Sequence, residues 1–285
     1  MEMGEPHNYD QATVEGFGKE WAAFDQRDLD DVAAHKIFDD YFHIFPWTTV
    51  NPTSSMALDV GCGSGRWAKL FASRVARLML LDASDEALAV AQRNLKAAGV
   101  TNVDYTHAPI DAAPLADQSF DCAYSLGVLH HVPDTQAALC TIFSKLRPGA
   151  PFLVYLYYAF DNRPWYYRQL WRLSDVVRRA VSALPFRLRW TISQMIAVLV
   201  YLPFARSAWL LDRCGCLPRS FPLSYYRDKP FYVLRTDALD RFGTRLEQRF
   251  TRIQITDMLQ RAGFERLTFS DRAPFHTVVC YRPQP

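Results

Sequence analysis

From Met56 onward the chain alternates short apolar runs with amphipathic segments, and this rhythm constrains the fold more than any other feature. Residues 56–60, 77–81, 103–107, 119–124 and 152–158 read as strands, with helices over 64–73, 85–98 and 134–146 between them. Ser84 is placed to cap the second of these helices and Gly99 to close it. Repeated βα units of this kind put their strands side by side in a parallel sheet with helices on both faces. After residue 158 the rhythm stops. Residues 159–249 are helical and aromatic, with prolines at 164, 185, 203, 218, 222 and 230. It resumes with a helix over 251–262 and strands over 264–270 and 277–281. The expectation is an α/β fold with a mostly parallel seven-stranded sheet and a helical insertion. Its parts are a helical lid over 1–50, a core over 51–158, a cap over 159–249 and a completing helix and strands over 250–285.

Composition narrows the function classes. Thirty-two basic residues face 30 acidic ones, so the chain as a whole lacks the positive field that nucleic acid requires. The six cysteines, at 62, 122, 140, 214, 216 and 280, form no C-x-x-C pair; neither a disulfide framework nor a metal site is indicated. The first eleven residues contain no apolar leader, and the longest uncharged apolar run, 190–205, holds Pro203 and falls short of the roughly 20 residues that span a bilayer. A reducing, cytoplasmic setting is expected.

The turn after the first strand, LDVGCGSGR over 58–66, brings backbone close to a ligand. Its glycines are spaced G-x-G-x-G, which matches neither the G-x-G-x-x-G of a dinucleotide site nor the G-K-S/T of a phosphate loop. Asp59, still on the strand, suits an ammonium group rather than a phosphate. Asp82, ending the second strand, is placed to accept hydrogen bonds from two ribose hydroxyls. A ligand with an amino-acid end, a ribose and no phosphate is S-adenosylmethionine.

Four stretches in order then resemble the class I, Rossmann-like methyltransferase family of the small-molecule type. They are ALDVGCGSGR (57–66), LLDAS (80–84), APLADQSFDCAYSLGVLHHVPD (113–134) and LRPGAPFLV (146–154). The resemblance covers 56–158 and the C-terminal helix and strands. It implies S-adenosyl-L-methionine as cofactor, methyl transfer as activity, and Asp59, Gly61, Cys62, Gly63, Arg66, Asp82, Ala83, Pro109, Ile110, Ser125 and Leu126 as cofactor-binding positions. Arg66 either reaches the cofactor or covers its helix. Family members often carry an aspartate for the adenine amino group where this chain has Pro109; adenine would then rest on Ile110 and bind through backbone or Asp111. The segment VEGFGKEWAAFDQ (14–26) resembles one that precedes the core in related enzymes and offers Phe17 and Trp21 as a lid over the cofactor, or as ordinary helix packing.

For the chemistry, His130 and Tyr157 are the candidate catalytic residues. His130 follows the fourth strand, at the sheet edge where open α/β folds bind ligands. In some small-molecule O-methyltransferases that this chain resembles, the first histidine is the base and a carboxylate ending the fifth strand orients it; the matching position here is Leu156, so that dyad is not reproduced. A packed histidine is the other reading of His130. Tyr158, Asp161 and Arg163 follow directly, and Asp237, Asp240, Arg241, Arg245 and Glu247 form a second charged stretch, either substrate contacts or an exposed loop.

Between 162 and 211 there are eight arginines, one aspartate and neither lysine nor glutamate. Arginines 163, 168, 172, 178 and 179 recur at near-helical intervals among apolar residues, a basic amphipathic pattern. A substrate cap over a small-molecule acceptor is the main reading. A peripheral membrane enzyme acting on a lipid or amphiphile, and a non-catalytic binder of the cofactor, are the alternatives. Oligomeric state, acceptor and acceptor atom are not legible.

Overall fold

The computed structural model describes residues 8–26, 29–218 and 220–284. Parts of the N-terminal leader reading and of the 1–50 lid, residues 1–7 and 27–28, lie outside the described residues. The chain divides into two compact units. The first comprises Met1–Asp25, His35–Tyr158 and Leu246–Pro285; the second comprises Gln26–Ala34 and Ala159–Arg245.

The first unit holds a seven-stranded sheet in the order β3-β2-β1-β4-β5-β7-β6. Its strands are β1 (Met56–Val60), β2 (Arg77–Asp82), β3 (Val103–His107), β4 (Cys122–Leu126), β5 (Pro151–Tyr155), β6 (Glu265–Phe269) and β7 (Thr277–Tyr281). β1 to β5 pair in parallel, and β7 runs antiparallel to both its neighbours, β5 and β6. The order reverses beside β1, which leads into the glycine turn, and it is at such a reversal that open α/β sheets form a crevice. Helices α3 (Ala68–Phe71), α4 (Asp85–Ala97), α5 (Thr135–Lys145) and α10 (Arg252–Arg261) follow strands or link them. Ser84, Asp134 and Thr251 cap α4, α5 and α10 by accepting a backbone N–H three residues on.

One face of the sheet carries a cluster that includes Leu58, Leu81, Phe120, Phe152, Ile255 and Phe264. Elsewhere an aromatic layer assembles from α2 (Asp31–Phe42), the turn after it and the start of the sheet. Phe42 stacks near Phe38 and meets Phe71 and Tyr124 at centroid distances of 4.1, 5.6 and 5.3 Å. All four rings are nearly solvent-free, and each buries apolar area worth about 2 to 3 kcal/mol. This layer fixes Tyr124, whose hydroxyl points to the site described below. Helix α1 (Gln11–Ala23) packs on α4, close enough that a Cβ on Gly18 would lie 2.7 Å from Ser84 Oγ.

The described residues of the second unit form the helices α6 (Trp165–Ser182), α7 (Phe186–Ile196), α8 (Leu202–Arg213) and α9 (Phe231–Gly243), with a longer, largely non-helical connection over 214–230 before α9. α6 and α7 both pack against α9. Inside it, Arg178 donates through Nε to Asp175 at 2.7 Å and through Nη1 to the carbonyls of Thr244 and Arg245, which fixes the buried guanidinium.

Some sequence expectations are corrected. The helix expected over 64–73 is α-helical only over Ala68–Phe71, because Gly65 takes a φ of 74° and no right-handed helix starts through a left-handed residue. The fourth strand starts at Cys122, since Ser119 and Phe120 bond back to Lys145 and Leu146 instead of to β1. The fifth ends at Tyr155, opposite the first residue of β7, after which Tyr157 and Tyr158 pair with Phe250. The apolar run judged too short to span a bilayer belongs to one helix of 28 residues, Phe186–Arg213, long and apolar enough by length and composition to cross one. Pro203 does not break it. A π-helical stretch, Ala197–Tyr201, precedes the proline and relaxes the i→i−4 pattern with which its ring would clash.

Candidate active site

Gly61 and Gly63, with φ of 78° and 53°, turn the chain sharply after β1. Neither tolerates a side chain: a Cβ on Gly61 would lie 2.4 Å from Val128 Cγ1, and one on Gly63 2.9 Å from the Trp21 ring. The turn is tied down by Gly61 N–H and Cys62 N–H, which donate to the Leu81 carbonyl at 2.7 and 3.1 Å. Cys62 is buried, and burial pushes its thiol up well beyond the ordinary range, so it contributes backbone here rather than a reactive sulfur.

Asp82 faces this turn. One carboxylate oxygen accepts the Gly63 N–H and the other the Ser84 N–H, each at 2.9 Å. A carboxylate offers about four acceptor positions, so about two remain for a ligand. Burial raises the Asp82 pKa, against the lowering effect of those N–H groups and of His107. His107, whose Nε2 lies 3.0 Å from the Ala83 carbonyl, is a site neighbour that sequence reading passed over as a strand end.

Asp59 is 1% exposed and accepts a hydrogen bond from Tyr124 O–H at 2.8 Å. Burial raises its pKa from the ordinary 3.8 to about 8; the Tyr124 bond opposes the shift and the nearby Asp82 charge adds to it. The site therefore holds one buried and one half-buried carboxylate that resist ionisation, the condition a cationic ligand would relieve. The Tyr124 contact could have been found in the sequence only by pairing β1 with β4, which aligns Asp59 with Tyr124.

α1 brings both aromatic lid candidates to this edge. Trp21 lies against Gly63, and Phe17 meets His131 edge-on at 4.9 Å. Arg66 lies over the Trp67 and Trp21 rings, 4.3 and 5.6 Å from their centroids. Pro109 leads into the short turn Ile110–Ala112, and Ile110 is buried beside Leu58 and Leu81. Asp111 accepts the Asn8 N–H at 2.9 Å. Ser125 and Leu126 are buried on β4, and the Ser125 hydroxyl is given to the Val60 carbonyl at 2.9 Å, a tie between strands.

After β4, His130 is wholly buried, and neither ring nitrogen has a hydrogen-bond partner among the described residues. It stacks on Tyr157 at 3.8 Å and lies 4.0 Å from the His131 ring, which is fixed by the Leu246 carbonyl. Burial, with the neighbouring His131 and Arg249, holds the His130 pKa well below the usual imidazole value, so the ring is neutral at pH 7. Arg249 sits 4.9 Å over the Tyr157 ring and pairs with Glu247 at 2.8 Å, both side chains almost fully buried. Leu156, between Tyr155 and Tyr157, is buried and apolar. Arg249 was missed in the sequence because a charged pair two residues apart in a polar stretch gives no sign of burial. Asp161, Arg163, Asp237, Asp240, Arg241 and Arg245 fall in the second unit, while Tyr158 and Glu247 fall in the first with His130.

A glycine turn and two strand-end carboxylates at the reversal of a 3-2-1-4-5-7-6 sheet define the class I, Rossmann-like methyltransferase architecture. Residues 58–154, about a third of the chain, match the family described as Methyltransferase domain. Among curated relatives, the ubiquinone biosynthesis O-methyltransferase of Pseudomonas fluorescens is 37% identical over 103 residues, covering 35% of this chain and 43% of that protein. The ubiquinone/menaquinone biosynthesis C-methyltransferase UbiE of Klebsiella pneumoniae is 35% identical over 101 residues, covering 34% of this chain and 40% of its own length. The chain thus spans less than half the length of these relatives. In fold it is similar to a SAM-dependent methyltransferase of Thermotoga maritima, with a TM-score of 0.51 and 12% identity over 96% of this chain and all of that one. The methyltransferase SibL gives the same TM-score at 17% identity, over 87% of this chain and 55% of the other.

Proposed function

We propose that this protein transfers a methyl group from S-adenosylmethionine to a small-molecule acceptor, in the cytoplasm. The observation that carries the reading is the pair Asp59 and Asp82: a buried and a half-buried carboxylate at the ends of β1 and β2, both held towards protonation, beside a turn that excludes side chains. Such a site fits a ligand that brings positive charge and hydroxyl donors. The relatives' names, which speak of an O-methyltransferase of ubiquinone biosynthesis and a C-methyltransferase of ubiquinone/menaquinone biosynthesis, support a small acceptor without choosing its atom. Six free cysteines suit a reducing compartment.

When bound, S-adenosylmethionine supplies an electrophilic methyl carbon attached to a sulfonium. In this reading Asp59 ionises against the ammonium end, and Asp82 accepts the ribose hydroxyls while still holding Gly63 and Ser84 in place. The backbone from Gly61 to Gly63 lies against the amino-acid end, and Ala83, Pro109, Ile110 and Leu126 form apolar walls. Trp21 and Phe17 exclude water, which would otherwise weaken the alignment that a direct displacement needs. The neutral His130 offers a ring nitrogen lone pair to an acceptor O–H or N–H and takes its proton. Tyr157, stacked on it, orients the ring, and Arg249 over Tyr157 opposes early protonation of the base.

Calorimetric titration of the purified chain with S-adenosylmethionine and S-adenosylhomocysteine tests the pocket; failure of both to bind overturns the reading. Incubation with cell extract and mass spectrometry for a gain of about 14 Da, one hydrogen replaced by methyl, then identifies the acceptor by the logic of displacement chemistry.

A further inference from the structure

The second unit contains an amphipathic helix turned inside out. On α6 the side chains that face inward are polar, Asp175, Arg178 and Ser182 with Val181, and Arg178 spends its donors on Asp175 and two carbonyls. The apolar arc faces solvent. Trp165 is 70% exposed, Leu173 and Val176 each 66%, and Leu170 and Val177 are exposed beside them. The same inversion holds along the 28-residue helix formed by α7, the π-helical stretch and α8. Its inward positions are Ser193, Ala197, Ala205 and Ala208, small or polar, and the ring of Tyr201, whereas Leu188, Met195, Val198, Leu199 and Leu210 are exposed. Only 22% of its most apolar stretch is buried. Two neighbouring helices with outward apolar faces exceed what scattered surface leucines explain.

What these faces meet is indicated by charge and connectivity. Arginines 168 and 172, one turn apart on α6, are exposed at the edge of its apolar arc, and Arg187 and Arg206 are exposed on the longer helix. Across 162–211, eight arginines stand against one aspartate. A second copy docking face to face would oppose the same positive excess, whereas an anionic surface complements it. Trp165 and Tyr166 begin α6 and are exposed, the residue types that favour the headgroup level of a bilayer. The long helix does not cross. β5 precedes it, β7 follows it, and the two hydrogen-bond to each other along their whole length; one passage through a bilayer would separate them. Among the described residues no other helix is long and apolar enough to return the chain. The geometry left is a helix lying in the plane of the interface, apolar side down, with arginines at the headgroups.

We propose that α6 and the α7–α8 helix form a monotopic docking surface for an anionic lipid bilayer. The occupant is the bilayer itself, through phosphate-bearing headgroups and the acyl boundary beneath them. Its residues belong to the second unit and those proposed to bind the cofactor to the first.

The test is flotation of the full chain with vesicles of phosphatidylcholine alone or of phosphatidylcholine with phosphatidylglycerol. The expected result is co-flotation with the anionic vesicles, at least about tenfold weaker with the neutral ones and reduced by added salt. Leu173→Glu with Val176→Glu, both at exposed positions, is expected to reduce partitioning at least about tenfold while leaving circular dichroism and melting temperature unchanged. Arg168→Gln, Arg172→Gln and Arg187→Gln together are expected to reduce anionic binding by about fivefold per residue, on the order of a hundredfold. Absence of flotation with either vesicle, or flotation unaffected by the double glutamate variant, overturns the proposal. So does light scattering that shows a dimer which the glutamates dissociate, without vesicle binding; the faces would then serve self-association. Cofactor calorimetry on the same proteins without vesicles reads the methyltransferase proposal separately, since the outward substitutions leave that pocket untouched.

Discussion

Asp59→Asn separates the two demands placed on the end of β1. The raised pKa means that the folded chain keeps a proton that the unfolded chain gives up. Stability from this group is therefore fully present below about pH 4 and is lost as pH climbs towards 8. With values of 3.8 unfolded and about 8 folded, the penalty at pH 7 amounts to about 4 kcal/mol. Asparagine cannot ionise and still offers Tyr124 an acceptor, so the variant escapes that penalty. The new amide N–H₂ introduces a desolvation cost of about 1 to 3 kcal/mol, which does not vary with pH. The diagnostic is thus the slope. The difference in melting temperature between variant and wild type should grow steadily from pH 4 to pH 8, by roughly 2 °C or more per kcal/mol. Ligand binding should move the opposite way. An ammonium beside Asp59 ionises it, so at pH 7 the wild type should release up to about 0.9 proton on binding S-adenosylmethionine, measurable by calorimetry in two buffers of different ionisation enthalpy. The variant should lose that release and bind at least about tenfold more weakly. Parallel melting curves for the two proteins across this pH range, with equal affinity for the cofactor, would falsify the assignment.

Asp82→Ala should weaken cofactor binding by about tenfold or more, since at least one charge-assisted hydrogen bond to ribose is lost along with the tie to Gly63; calorimetry reads it, and unchanged affinity contradicts the ribose role. Gly61→Ala should cost roughly 2 to 4 kcal/mol from the Val128 contact and the positive φ. In a Val128→Ala background the contact disappears and about 1 kcal/mol should remain, so chemical denaturation of the two backgrounds gives a coupling that a simple turn would not show. His130→Gln should lower turnover by about 100-fold or more with little change in cofactor affinity. Because the wild-type imidazole is held neutral, turnover should show no acid-side inflection near pH 6.5, and such an inflection would assign the base elsewhere.

How much of this was legible in the sequence depends on whether local or cross-strand chemistry decides. β1, β3 and β7 were readable to the residue because an apolar run and a turn coincide at both ends. β4 and β5 were misplaced at both ends, most at the ends whose limits are set by partners: Lys145 and Leu146 capture residues 119 and 120, and β7 offers β5 no neighbour beyond Tyr155. The glycine turn and Asp82 announced themselves by spacing. The partner of Asp59 did not, since Tyr124 lies 65 positions away and reaches it across the sheet. The inserted helices were visible as basic and amphipathic, but periodicity gives an apolar face without saying which way it turns. Here it turns outward, as the exposed Trp165, Leu173 and Val176 opposite the buried Asp175 and Arg178 show.

The pairing of Tyr157 and Tyr158 with Phe250 has a consequence for how such a chain diversifies. Some ninety residues leave the sheet and come back at adjacent backbone positions, so the sheet's register is indifferent to what lies between. Closing a loop twice as long costs only about 0.6 kcal/mol more. The tether behaves as a socket: different inserts can be exchanged there, each bringing its own surface, while the carboxylates and the glycine turn are left undisturbed. Novelty in this architecture can arise by replacement at one doorway instead of by drift across the whole chain.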